Sequence, residues 1–241
     1  MNTHDYDIAR TLSSAIANVL REEIIDGKWR ANEKLKTERL KERFSVSSAT
    51  IRDALFVLMS EYLVTLEDQK GFRVAPMSLA DAEDLARTRV VVESAALEES
   101  IRAGDEKWEA LITAEYYLLA KAEERMRHDP VASIGEYEKS NERFHEALVS
   151  ASSSERLKKM RRMFFQEAKR YRWMVALSSE TVIIHDKEEH EKIFNACIQR
   201  NVGQAKDLIA GHVQSSIRGL TKDSFRDKPK TAEIIRIKGA A

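Results

Sequence analysis

Between Tyr62 and Pro76 the hydrophobic period of the chain changes, and this change restricts the fold more than any other feature. In "YLVTLEDQKGFRVAP", Val64 and Leu66 alternate with polar residues, and Phe72 and Val74 then do the same. Asp68, Gln69, Lys70 and Gly71 supply turn chemistry between the two runs, so the stretch reads as a β-hairpin. Upstream the spacing is helical. Ile8, Leu12, Ile16, Val19, Leu20 and Ile24 mark a helix over 8–26 that ends at Gly27, a favoured left-handed cap. Thr37 is placed to cap a short helix through Leu40 to Phe44. Ser45-Val46-Ser47 interrupts it, and Ser47 can cap a second helix with Ile51, Ala54, Leu55, Leu58 and Met59 on one face. Helix, short helix, turn, helix, hairpin is the order of a winged helix-turn-helix.

Pro76-Met77-Ser78 marks a boundary, giving a first domain over 1–76. From there to about residue 222 no strand pattern occurs. Helices are predicted near 79–103, 106–128, 131–151, 155–177, 181–199 and 202–221, with short polar breaks such as "AGDEK" and "ASSSER". Six helices with short connections imply an antiparallel all-α bundle over 77–222, followed by a tail over 223–241. The fold class is therefore mainly α. Eight glycines, three prolines and a charged fraction of 33% agree with a helical chain.

No apolar run approaches the roughly 20 residues of a membrane span, and "MNTHDYDIAR" lacks the order of a signal peptide, so a cytoplasmic protein with no membrane partner is expected. The lone cysteine, Cys197, has no internal disulfide partner and fits core packing in a reducing compartment. Net charge is zero, so no global field draws the chain to a polyanion. Locally, the eight basic residues from Lys28 to Arg52 outnumber Glu33, Glu38, Glu42 and Asp53. That cluster fits phosphate contact or a solvated charged face.

In a helix-turn-helix the second helix enters the major groove and presents its N-terminal residues to base edges. Here these are Ser47, Ser48, Ala49, Thr50 and Arg52. The hydroxyls can bond phosphate or base, and Arg52 can reach a guanine edge or a phosphate. Otherwise Ser47 is only a cap and Arg52 pairs with Asp53 or a nearby carboxylate. Lys70 and Gly71 sit at the wing tip, where a cation and a bare backbone can approach the minor groove. Arg39, on the first of the two short helices, completes the DNA-binding set.

"REEIIDGKWRANEKLKTERLKERFSVSSATIRDALFVLMSEYLVTLEDQKGFRVAPMS" resembles the N-terminal domain of GntR-family bacterial transcription regulators. The match runs through the spacing of Gly27 and Leu35, through "VSSATIRDAL" and through "GFRVAP". "RVVVESAAL" and "FHEAL" resemble pieces of the helical ligand-sensing domain of the FCD branch. The resemblance implies a homodimeric regulator, most simply a repressor, on a near-palindromic double-stranded operator, with a small carboxylate as effector. Two departures stand out. Ala31-Asn32 replaces the usual Pro-Gly, and Ser48-Ala49-Thr50 replaces an arginine followed by Thr-Pro, which removes one strong DNA contact and leaves Arg52 as the leading one.

In the bundle, Ile134, Tyr137, Asn141, Phe144, His145 and Leu148 share one helix face. His190, Ile193, Phe194 and Cys197 form a second stripe, and Leu208, Ile209, His212, Val213 and Ile217 a third. One inward histidine is ordinarily a satisfied core residue. Three on separate faces favour convergence on a metal, a water cluster or an anion, since each buried polar group needs a partner. His185 is rotated away from His190 and reads as exposed or outside the ligand set. The FCD resemblance implies an acid four residues before the first histidine, then two more histidines, around a divalent metal such as zinc or nickel. His145, His190 and His212 fit, while Asn141 occupies the acidic position with a weaker, neutral oxygen. Either the ion binds through three imidazoles, or the histidines and an arginine hold an anion without it.

The resemblance also points to Arg89 for effector binding; the alternative is an i,i+4 pair with Glu93. Arg172 is a second possible clamp on a carboxylate. Met160, Met163 and Met174 read as packing. A metal-dependent enzyme is the competing class, because three histidines with open positions also serve hydrolases. Against it, the chain lacks HExxH, a Gly-rich phosphate loop and a nucleophile elbow.

Overall fold

The computed structural model describes residues 3–178 and 181–225, with side chains over 11–129, 132–174 and 188–225. The first helix, α1 (Thr3–Ile25), stops where the chain turns left-handed at Gly27, φ +70°. The amides of Asp26 and Lys28 return to the Glu22 and Glu23 carbonyls at 2.8 and 2.9 Å, satisfying the helix end. α2 (Thr37–Phe44) terminates at Ser45, also left-handed, and α3 (Ser48–Ser60) follows within one turn. Lys36, not Thr37, sits at the N-cap of α2, and its side chain makes no capping bond. Thr37 is instead the first helical residue, so the expected cap is shifted by one position.

Strands β1 (Val64–Glu67) and β2 (Gly71–Val74) pair antiparallel, Val64 opposite Val74 and Glu67 opposite Gly71. Gly71 belongs to the strand rather than to the turn, where it takes φ +82°. A third piece of extended chain joins the hairpin. The Leu35 amide donates to the Phe72 carbonyl (2.9 Å), and Val74 and Asn32 exchange bonds with Glu33 and Val74 across the same edge. Ile16, Leu20 and Ile24 of α1 pack with Leu40, Ile51, Leu55, Leu58, Val64, Phe72 and Val74 in one core. Each such buried side chain contributes about 1.5 to 3 kcal/mol of transfer free energy. Leu12, Val19 and Leu66, expected on the buried faces, are exposed by more than two fifths of their surface.

A second compact unit begins at Leu79. Its helices are α4 (Leu79–Ala103), α5 (Glu106–His128), α6 (Pro130–Leu148), α7 (Glu155–Ser178), α8 (Thr181–Ile198) and α9 (Val202–Ser215). Asp105, Asp129 and Asn201 cap α5, α6 and α9 through the amides of Trp108, Ala132 and Gln204, at 3.0, 3.1 and 3.2 Å. Pro130 opens α6, where its missing N–H costs nothing. α5 packs on α6 and α8, α4 on α7 and α9, and α8 on α9, as an antiparallel bundle requires.

α9 is shorter than its apolar spacing predicts. The Ser216 hydroxyl donates to the Val213 carbonyl at 2.7 Å, and the Ser215 hydroxyl lies between the Glu189 carboxylate at 2.7 Å and the His212 carbonyl at 2.9 Å, competing with the helical ladder where α9 ends. Cys197 is buried, and burial pushes its thiol up to about 12. Met160 faces outward, 40% exposed, beside the inward Arg161, which corrects its reading as packing. A 3-10 turn over Lys222–Phe225 follows α9, and the rest of the expected tail lies outside the described residues, as does the side chain of His185. Among the described residues no helix is long and apolar enough to cross a membrane.

Candidate DNA-reading head and effector pocket

Ser47 has extended backbone, and its hydroxyl accepts the Thr50 amide at 3.1 Å and lies 2.9 Å from the Thr50 hydroxyl. The cap is thus made, and Ser47 and Thr50 also form a hydroxyl pair at the start of α3. Ser48 leans toward Glu38 at 3.5 Å. Several cations of the head are matched. Arg43 forks onto Glu23 at 2.8 and 2.6 Å, and Lys41 and Lys70 stand near Glu38 and Glu67. Arg39 and Arg52 are exposed, and no described residue holds either by hydrogen bond or ion pair; Arg52 does not pair with Asp53. Unpaired cations on consecutive helices of a helix-turn-helix are free to meet phosphate or base. Gly71 presents bare backbone beside the turn, with only the Lys34 side chain within 4.0 Å of where a Cβ would stand.

In the bundle, α6 turns Asn141 and His145 inward one turn apart, both 2% exposed. α8 supplies His190 and α9 His212. The three imidazoles converge: their centroids stand 5.1, 5.5 and 4.5 Å apart, and one nitrogen from each lies within 4.8 Å of the others. Each ring faces a carboxylate through Nδ1. His190 meets Glu123 of α5 at 2.6 Å, His212 meets Glu189 at 2.8 Å, and His145 faces Glu93 of α4 at 3.7 Å. A carboxylate hydrogen-bonded to Nδ1, as at His190 and His212, fixes the tautomer that leaves the Nε2 lone pair available. Nε2 of His145, Nε2 of His190 and Oδ1 of Asn141 are all buried and without a partner. Burial drives the His145 pKa well below its usual value despite the neighbouring Glu93, so its ring is neutral, the form that binds a metal. Three orphaned lone pairs in one buried cluster fit a divalent ion well.

Arg89 and Arg172 do not stand open to the pocket. Arg89 donates Nε and Nη2 to Glu93 at 2.9 and 2.8 Å, with both side chains 3% exposed. Burial favours a neutral Glu93, but Arg89, His145 and Arg161 together outweigh it and hold the carboxyl below the usual range. Arg172 forks onto Glu138 at 3.1 and 2.8 Å. Burial opposes its charge, and Glu138 more than restores it, leaving the pKa raised. Arg89 thus makes the i,i+4 pair with Glu93 that its spacing allowed, and Arg172 pairs with Glu138 rather than standing open, because a desolvated guanidinium takes the nearest anion.

Sequence reasoning missed Arg161 of α7. It is 1% exposed and packs its guanidinium 4.5 Å from the Phe165 ring, which also touches Arg89, Arg172 and His145. Its Nη1 donates to Glu146 at 2.6 Å, whereas Nε and Nη2 have no partner. The available signal was the 4-3-4 spacing of Arg161, Phe165, Ala168 and Arg172, an inward stripe with an arginine at each end. Within "KKMRRMFF" it reads as solvated charge. Glu123 and Glu189 were missed as histidine partners for the same reason, whereas Glu93 was assigned only to Arg89.

Residues 12–74 match the family model described as bacterial regulatory proteins, gntR family, and residues 84–215 match the FCD domain. The chain belongs to the FCD branch of the GntR family. Its members are transcription regulators, not enzymes. The chain is 37% identical over 209 residues to the HTH-type transcriptional regulator BphR of Paraburkholderia xenovorans strain LB400, covering 86% of this chain and 84% of that one. It is 31% identical over 201 residues to the HTH-type transcriptional repressor GlaR of Escherichia coli strain K12, covering 82% and 90%. Among solved structures, E. coli McbR/YncC superposes with a TM-score of 0.69 at 17% identity, covering 86% of this chain and 95% of that one. A putative GntR regulator from Rhodococcus sp. RHA1 gives 0.68 at 22%, covering 93% and 97%. These likenesses match the architecture of winged head plus helical bundle.

Proposed function

We propose that this regulator is a ligand-responsive repressor that acts as a homodimer in the cytoplasm. Each winged head reads one half-site of a near-palindromic operator, as two-fold symmetry requires. Arg52 and Arg39 contact DNA from α3 and α2, Ser48 and Thr50 line the start of the reading helix, and Lys70 and Gly71 approach from the wing. The helical unit senses a small organic acid at a divalent ion, zinc or nickel, held by His145, His190 and His212 with Asn141 beside them. The observation that carries this reading is the cluster of unpartnered acceptors at His145, His190 and Asn141, with carboxylates behind all three rings. Bound there, the ion supplies open positions for carboxylate oxygens. The residues around it orient the imidazoles and exclude water. Ligand binding then biases the placement of the two heads and with it operator affinity.

Metal analysis of the purified protein, paired with His190→Ala, tests the sensor. The wild type carries close to one ion per chain and the variant loses it; equal content in both removes His190 from the site. A mobility shift on the DNA flanking its own gene, repeated with Arg52→Ala, tests the head. No shift with the wild-type protein would refute the reading of α3.

A further inference from the structure

Among the described buried arginines of the bundle, Arg161 leaves both Nε and Nη2 unmade, whereas Arg170 leaves Nε and not Nη2. The Nε and Nη2 edge is the side-on fork that matches the two oxygens of a carboxylate. Arg89 and Arg172 each spend that edge on a glutamate. Arg161 spends only Nη1, on Glu146, and keeps the fork empty while 1% exposed. Charge points the same way. Arg89 is matched by Glu93 and Arg172 by Glu138, but Glu146 is shared between Arg161 and Arg162, whose Nη1 lies 2.7 Å from its other oxygen. One positive charge is left over, next to an empty fork. A buried unmade fork costs desolvation that an anion would recover.

The imidazole cluster lies on α6, α8 and α9, and the fork on α7. Phe165 touches both, 4.5 Å from the Arg161 guanidinium carbon and 5.5 Å from the His145 ring. Ion site and fork are therefore neighbours but separate anchoring points.

Resting on the sensor reading above, we infer that the effector is a bifunctional acid: one oxygen function at the histidine-held ion, and a distal carboxylate taken bidentately by Arg161. Arg161 is the specificity-determining residue. It selects short dicarboxylates over monocarboxylates of equal length, because a monocarboxylate satisfies one anchor and leaves the fork unpaired.

The test uses the full chain loaded with zinc and titrated calorimetrically with succinate and glutarate against butyrate and pentanoate. Arg161→Met and Arg161→Lys are measured in parallel, and metal content is determined for every sample. The wild type should bind one of the dicarboxylates about 10- to 100-fold more tightly than its monocarboxylate of equal length. Arg161→Met should lose that preference and keep its zinc and its monocarboxylate affinity. Arg161→Lys keeps the charge without the fork and should lose most of the preference; it carries the test if the methionine variant does not fold. A wild type that takes up zinc but binds both classes equally overturns the inference and leaves the sensor reading standing. So does a dicarboxylate preference that survives both substitutions. A wild type that takes up no zinc and binds no acid overturns the sensor reading itself.

Discussion

Removing Arg89 should cost the bundle more than any surface change, through what it leaves behind. In Arg89→Met, Glu93 loses both N–H donors, at 2.9 and 2.8 Å, while its side chain stays only 3% exposed. The His145 ring at 3.7 Å and the charge of Arg161 remain nearby and soften the loss. Stranding one partner of a buried pair costs about 3 to 5 kcal/mol, and the remaining neighbours place this case near the lower end, about 3 kcal/mol. Against a typical folding stability of about 5 to 15 kcal/mol, that is a large share. Urea unfolding followed by far-UV circular dichroism measures it, with the helical unit read separately in a Trp29→Phe background through Trp173 and Trp108, the latter buried with its Nε1–H on the Ala147 carbonyl at 3.1 Å. The double variant Arg89→Met with Glu93→Leu removes the stranded charge and should recover most of the loss. A single variant within about 1 kcal/mol of wild type, or a double variant no more stable than the single, refutes the reasoning.

Ser47→Ala removes the acceptor of the Thr50 amide and should destabilise the head by about 1 kcal/mol, seen as a lower urea midpoint for the transition that Trp29 reports in a Trp108→Phe, Trp173→Phe background; an unchanged midpoint excludes a capping role. Glu123→Gln weakens the carboxylate behind His190 and should lower zinc affinity about 10- to 100-fold in a competition titration with a chromogenic chelator, with the fold intact; unaltered affinity would remove Glu123 from the site. Glu167 has its pKa raised to about 7 by burial first and by Asp81 second, with Arg170 opposing. The folded chain therefore holds this proton more tightly than the unfolded chain, so the stability it contributes is full below the unfolded pKa and is lost as pH rises through about 7. Partial exposure discounts the effect to about 1 to 2 kcal/mol. Glu167→Gln should abolish that slope between pH 5 and 8, roughly the span of the two pKa values, and parallel slopes in both proteins would exclude Glu167 as its source.

Much of this was legible in the sequence because periodicity reports burial. The hairpin, the short helices around Ser47 and the inward placement of His145, His190 and His212 all follow from apolar spacing. Pairing between helices is not periodic. Which carboxylate stands behind which imidazole depends on α4 meeting α6, and α5 meeting α8, and no local spacing encodes that. Arg161 was hidden differently: a cation within a basic run reads as solvated, and only its neighbours on α6 and α7 reveal that it is buried. The end of α9 escaped because apolar spacing continues through Ile217 and Leu220, while the serine hydroxyls that close the helix leave no periodic trace.

The strip of extended chain from Asn32 to Leu35 has a mechanical consequence. It is hydrogen-bonded along β2 and runs into α2 only two residues later. The wing is thus not a hinged flap free to search the groove on its own, and a tilt of α2 against a phosphate backbone carries the wing tip with it. The head behaves as a rigid stamp, so an insertion between Leu35 and Thr37 should disturb minor-groove and major-groove contacts together.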